Sequence, residues 1–221
     1  MKKKIFLIGF LSWITTHALF SQDVNFRTLE NTRHLVAAHF GADYGSYYGL
    51  SYGYVFNTKH RPIVAGTEFI IPFGADVLDD WQWKTGVQLE LLRSGDFSLV
   101  FKPSAVFRRY ESSMARMYNI GSDFAINVGF VKQKWSVVGI ASFDKAIVTN
   151  IHNKLLKEYY PEIRDGWYIP SGGNFKFGAR LQYGFGTWNT FFTIGKHFGQ
   201  DFKANPILPF FAEMSVQKRL N

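Results

Sequence analysis

The chain has 221 residues, a formal charge of +8, no cysteine, and an aromatic content of 18% made up of 23 Phe, 11 Tyr and 6 Trp. The lack of cysteine excludes a disulfide-stapled secreted module, and Lys and Arg scattered along the chain, not clustered on one face, argue against nucleic acid as a partner. After the first 22 residues no apolar run reaches the length of a membrane helix, about 20 residues, so any membrane-embedded part has to be built from strands.

Residues 1–22, MKKKIFLIGFLSWITTHALFSQ, have the layout of a secretory signal peptide: three lysines, an apolar stretch from Ile5 to Ile14, then small or polar residues. Cleavage is expected near Ser21/Gln22, with Ala18 as a second site. No Cys follows the apolar stretch, which excludes a lipoprotein anchor. Loss of Lys2, Lys3 and Lys4 lowers the +8 by three, to +5. Residues 23–221 then form one domain.

Ten segments read as strands: about 32–42, 46–57, 62–72, 81–93, 96–109, 115–131, 134–144, 173–185, 188–198 and 207–218. Most reach the 9 to 11 residues with which a tilted strand crosses a bilayer. In WQWKTGVQLELL (81–92), Trp81, Trp83, Thr85, Val87, Leu89 and Leu91 share one parity, and Gln82, Lys84, Gly86, Gln88 and Glu90 the other, until Leu92 breaks the pattern. Successive Cβ atoms point to opposite faces of a strand, so this is strand periodicity. Similar alternation runs through 115–131, 173–185 and 207–218, and is weaker in 62–72, 134–144 and 188–198. A soluble two-sheet sandwich would turn the apolar face inward; a membrane barrel turns it outward to lipid and lines its lumen with the polar face.

The connections favour the barrel. Alternate ones are short (FNTKHRP, RSGD, KQK, GFGTW), whereas the others include ADYGSY, GADVLDD, RYESSM, GQDFKANP and a stretch of about 28 residues from Lys145 to Gly172. Short turns at one end and longer loops at the other are the asymmetry of an outer-membrane barrel. Within the long loop, Leu155, Leu156 and Tyr159 at helical spacing, stopped by Pro161, predict a short helix.

With apolar parity outward, the lumen receives Glu68, Lys84, Gln88, Glu90, Lys102, Asp123, Lys176, Arg180 and Glu213, together with His39, Asn127, Gln182 and Gln217. Charges of both signs in a narrow barrel require pairing, so a polar network filling the lumen is expected. Trp81, Trp83, Trp135 and Trp188 are expected in aromatic girdles at the two headgroup levels. His39, His197, Ser215 and Asp123 are of catalytic type, yet their spacing nominates no triad, and the chain reads as a non-enzyme. No cofactor or metal is assigned: Asp76, Asp79 and Asp80 lack EF-hand spacing, and SGGN (171–174) lacks the Lys and helix of a phosphate loop. Lys154, Lys157, Arg164, Lys196 and Lys203, in or beside the loops, are candidates for lipopolysaccharide phosphates.

The leader ending LFSQD and the closing IGKHFGQDF and FFAEMSVQKRL resemble the small outer-membrane β-barrel proteins of Bacteroidetes-type bacteria. The resemblance covers most of the mature chain as a pattern, and the ending KRLN departs from the terminal aromatic many such barrels carry. It implies an all-β, transmembrane, antiparallel up-and-down barrel of about ten strands in the cell outer membrane, with outer-membrane lipid and lipopolysaccharide as surroundings and a larger outer-membrane complex as a further option. The expected role is structural, adhesive or accessory, with a plugged polar lumen. The alternative is a narrow channel or small-solute binding barrel, and a lipid A-modifying enzyme ranks last.

Overall fold

The structure, a computed structural model, describes residues 23–43, 45–74, 78–202 and 208–221. The leader therefore lies outside the described residues. Ten antiparallel strands close on themselves: β1 (His34–Ala42), β2 (Ser46–Phe56), β3 (Ile63–Pro72), β4 (Trp81–Ser94), β5 (Phe97–Glu111), β6 (Ala115–Val131), β7 (Trp135–Asn153), β9 (Gly173–Phe185), β10 (Trp188–Gly199) and β11 (Phe210–Leu220), with a three-residue β8 (Gly166–Tyr168) outside the ring. Each strand pairs with its sequence neighbour, β7 pairs with β9, and β1 pairs with β11 from His34↔Leu220 to Ala42↔Ala212. Closure leaves no barrel edge with unpaired backbone groups, the condition for strands in hydrocarbon.

The alternation places side chains inside out. In β4, Gln88 and Glu90 are buried while Trp83 and Leu91 are exposed. The break at Leu92 is a β-bulge: Glu90 pairs with Val100 and Leu92 with Leu99, so Leu91 is the extra residue and both leucines face outward. A second irregularity, at Ile120/Gly121, leaves Ile147 of β7 unpaired and 53% exposed. The exterior is a band of Val36, Phe40, Leu50, Phe124, Ile126, Leu181, Phe192, Ile194 and Met214, all exposed. An apolar surface of this extent marks contact with lipid or another apolar surface.

The two ends differ. At the turn end, hairpins close through Gly95–Asp96, 132–134 and Gly186–Thr187, and positive φ at Gly95 and Gly186 supplies the left-handed conformation such turns need. At the other, loop end, β5 and β7 run past their predicted limits of 109 and 144 to Glu111 and Asn153. The β6 partner of that extension is Ala115–Gly121, paired with Ala146–Asn153. RYESSM is consequently a tight turn at 112–114, and the long loop shrinks to 154–172. The unpaired Ile147 breaks the alternation within 145–153, which hid the extra strand.

The long loop carries α1 (Leu155–Tyr159), which Pro161 ends. Its Leu155 and Tyr159 are exposed, so polar contacts, not burial, hold the loop. Asp165 accepts from the Asn153 backbone N–H at 2.8 Å and from Lys157 Nζ at 2.7 Å, and stands 2.9 Å from His152 Nδ1. The Lys157 ammonium and then the Asn153 amides hold the Asp165 carboxyl below the usual aspartate range. A depressed carboxyl contributes anchoring above its unfolded value, about 4, and loses it as pH falls through the folded value. Amide protection at 153–168 should therefore be constant from pH 7 to about 5 and fall below about pH 4, and Asp165→Asn should abolish that pH dependence; hydrogen exchange followed by mass spectrometry reads both.

Candidate functional site in the barrel lumen

Residues 23–33 precede the barrel and fold into its turn end. Asn25 caps a 3-10 turn (Phe26–Thr28) by accepting from the Arg27 N–H, and Phe26 and Leu29 pack among Leu35, Val55, Val64 and Val100. Asn25 Nδ2 donates to Lys132 O and to Gln182 Oε1, both at 2.8 Å, and Arg219 donates to Thr28 O at 2.6 Å. The segment is thus a plug, apolar against the lower wall and polar towards the middle of the lumen. Val138 and Phe191 face the same segment across a small cavity also lined by Val24 and Phe26. Their inward apolar side chains, with Val64, explain why alternation was weak in β3, β7 and β10.

Above the plug the lumen is polar. Of the thirteen residues assigned to the lumen from the sequence, Glu68, Lys84, Lys102, Asp123, Asn127, Lys176, Arg180 and Glu213 line its cavity, while His39, Gln88, Glu90, Gln182 and Gln217 are buried; the charged ones divide among several clusters. Asp23 of the plug meets Lys102 and, at 2.6 Å, Arg180. Lys84 donates to Asp123 at 3.1 Å. Glu90, near the turn end, pairs with Arg93 at 2.5 Å and accepts from Ser98 Oγ at 2.8 Å. Lys176 donates to Asp43 at 2.5 Å, with His197 Nε2 3.0 Å from the same carboxylate. Burial at the loop end would raise the Asp43 carboxyl, but the Lys176 ammonium and His197 outweigh it and hold the group well below the usual range. Gln88 is buried in the wall, and Glu68 and Glu213 flank His39.

Arg108, Asp144, Gln82, Asn119, Asn189 and Asp23 take part without having been assigned to the lumen from the sequence. Arg108 reaches Asp144 at 2.5 Å, Gln82 at 2.8 Å and Asn119 at 3.1 Å. An amide chain runs from Gln182 to Asn189 at 3.1 Å and from Asn189 to Gln217 at 2.9 Å, and Gln217 donates to Asp23 O at 2.7 Å. Inward parity was a usable signal for Arg108 and Asn189. None existed for Asp23, which lies in no strand.

A cavity of about 120 Å³ remains within this network. Asp23, Asp43, Glu68, Asp123 and Glu213 face it with Lys84, Lys102, Lys176 and Arg180, and Asp23 and its plug close it towards the turn end. Carboxylates and cations line this one small space together, several of them as ion pairs.

His39 stands between Ser51, whose Oγ is 2.6 Å from Nε2, and the two glutamates beyond Nδ1, in the order of a serine–histidine–acid relay. Chemistry does not follow from this. Ser51 is 4% exposed and does not line the cavity, and the neighbouring backbone N–H groups among the described residues are engaged in the β1–β2 ladder and not free to serve as oxyanion donors. Ser215 lies beside His39 in register and is buried as well.

Of the four tryptophans expected in girdles, Trp81 and Trp83 lie near the loop end of β4, and Trp135 and Trp188 at the turn-end starts of β7 and β10. Lys132 lies over the Trp135 ring at 5.4 Å and Lys218 over that of Trp188 at 5.2 Å. Of the loop residues, Lys154 pairs with Glu111 and Lys157 with Asp165, while Lys196 lies over Phe198 and Phe210. Asp79 pairs with Arg109 at 3.5 Å, and Asp80 accepts from the Glu111 N–H at 2.8 Å, so both fasten the β4 approach to β5. Asp76 and Lys203 lie outside the described residues.

Closed ring, apolar exterior and polar filled lumen define a membrane-spanning antiparallel β-barrel of the outer-membrane type. No family model and no curated protein matches the chain. Among solved structures it is similar to a KdgM porin (TM-score 0.44, 8% identity, 85% of this chain and 99% of that one) and to a KdgM porin in complex with disordered oligogalacturonate (TM-score 0.43, 8% identity, with the same coverage).

Proposed function

We propose that the protein is an outer-membrane barrel that holds a small polar solute, zwitterionic or ionic, in a blind lumen pocket entered from the loop end. The observation that carries this reading is the cavity of about 120 Å³ with carboxylates and cations on its walls and the plug beneath it. Its volume is below the about 300 Å³ at which drug-sized ligand pockets begin, so the solute is small. This is the small-solute alternative; the structural, adhesive or accessory role has no such observation behind it. The apolar belt and the tryptophan–lysine pairs at the turn-end rim support a bilayer location, with loops outward and turns towards the periplasm.

The test combines two measurements on the detergent-solubilised, reconstituted barrel. In planar bilayers the plugged lumen should give a silent baseline. A panel of free amino acids and betaines titrated calorimetrically should include members that bind saturably. Steady single-channel steps would replace the blind pocket by an open channel, and a silent bilayer with no binding across the panel would return the protein to a structural role.

A further inference from the structure

One pair of lumen carboxylates differs from the rest. Asp23, Asp43, Asp123 and Asp144 each have a Lys or Arg partner, whereas among the described residues the ion pairs of Glu68 and Glu213 are to His39 alone. The three come from β3, β11 and β1 and converge: His39 Nδ1 is 3.5 Å from Glu213 Oε1 and 4.0 Å from Glu68 Oε1, and one ligand atom of each lies within 4.8 Å of the others. His39 is 3% exposed, and its buried Nδ1 has no hydrogen-bond partner. Two carboxylates crowd one imidazole, with the Lys84 and Lys102 ammonium groups farther off on the Glu68 side, so a positive charge between them is favoured. An imidazolium brings one; a divalent ion brings two.

The geometry fits such an ion. Bonds of about 2.0–2.2 Å around tetrahedral zinc put neighbouring ligand atoms about 3.4 Å apart, close to the His39–Glu213 separation. Glu68 and Glu213, 13% and 17% exposed, border the cavity, so small side-chain rotations bring in the remaining oxygens and the ion has a route of entry. The outer contacts are those of a metal centre: Ser51 Oγ at Nε2 can fix the tautomer that aims the Nδ1 lone pair at the glutamates, and Tyr47 OH donates to the second oxygen of Glu213 at 2.5 Å. A nitrogen ligand with two carboxylates favours zinc or a similar transition metal over Ca²⁺ or Mg²⁺. We propose that His39, Glu68 and Glu213 bind one divalent transition-metal ion, Zn²⁺ fitting best, with its fourth position open to the cavity. This site requires only the inward faces of β1, β3 and β11 and holds whether or not the pocket takes an organic solute.

The test uses the tag-free, chelator-stripped barrel in detergent, with ZnCl₂ in calorimetry and Co²⁺ as an optical probe. One equivalent of Zn²⁺ should bind. His39→Gln and Glu68→Gln should each weaken it by about 100-fold or more, and Tyr47→Phe by about 10-fold, as for an outer-shell partner. The cold gel mobility of the variants shows that they fold. No saturable binding by the wild type, or unchanged affinity in both ligand variants, overturns the proposal. Should the variants fail to fold, wild-type Co²⁺ absorption decides: bands of four- or five-coordinate cobalt support the site, and the spectrum of the hydrated ion removes it.

Discussion

Asp23→Ala should lower the stability of the reconstituted barrel by about 3 kcal/mol and turn a silent bilayer into one with intermittent conductance steps. Asp23 is the counter-ion of both Lys102 and Arg180, and all three side chains are at most 13% exposed. Removing one partner of a buried ion pair typically costs about 3–5 kcal/mol, because the remaining charge stays buried without compensation; the lower figure applies here because a cavity adjoins the cluster. The two cations would also repel each other and draw in water where the plug now sits. Apolar packing of Phe26 and Leu29, each worth about 1.5–3 kcal/mol when fully buried, still holds the segment, so opening should be intermittent. Equilibrium urea unfolding in vesicles reads the first effect and planar-bilayer recording the second. A change under 1 kcal/mol with no steps would show that the plug does not depend on this carboxylate. Adding Lys102→Met should recover part of the loss, since one of the stranded charges is then gone.

Phe192→Arg should destabilise the barrel by about 2–4 kcal/mol in a bilayer, the cost of a cation at the middle of a lipid-facing barrel wall. Phe192 lies midway along β10, is 47% exposed, and is flanked in register by Leu181 and Met214, which are exposed as well. In a water-soluble sandwich the same substitution at an exposed site would stay within about 0.5 kcal/mol. Urea midpoints of wild type and variant in lipid vesicles separate the two cases, and an effect within the smaller range would remove the membrane reading of this exterior. Thr193→Ala, one residue along and facing inward to Arg180 at 2.9 Å, is the natural companion, because its loss is a single hydrogen bond of about 1 kcal/mol.

Both predictions join a local property to a long-range one, and these were unequally legible. Trp81 to Leu91 revealed its faces in the sequence, because the alternation of Cβ atoms along a strand is a covalent fact that needs no partner. The count of ten strands, the inward parity of Lys84, Asp123 and Arg180, and the short helix before Pro161 followed from the same kind of local signal. The structural or adhesive role did not: nothing in parity bears on it, and the solute pocket proposed in its place rests on the lumen cavity.

The plug shows most clearly where such reading stops. DVNFRTLENTR has no period of two and only a three-residue helical turn, so nothing local distinguishes it from a linker. Its meaning comes from partners remote in the chain, Lys102 at a separation of 79 residues and Gln217 at 194, which approach only once β1 and β11 have closed the ring. The apolar inward residues Val64, Val138 and Phe191, which blurred the alternation, are explained by the same segment. The meeting of His39 with Glu68 and Glu213 likewise depends on register across β3, β2, β1 and β11, where a slip of one residue would turn a side chain from lumen to lipid. By itself the sequence determined which residues face which medium, since that is written strand by strand. Only the tertiary structure decided which charges meet, what closes the lumen and where a cation could be held, because those depend on the register of a closed sheet.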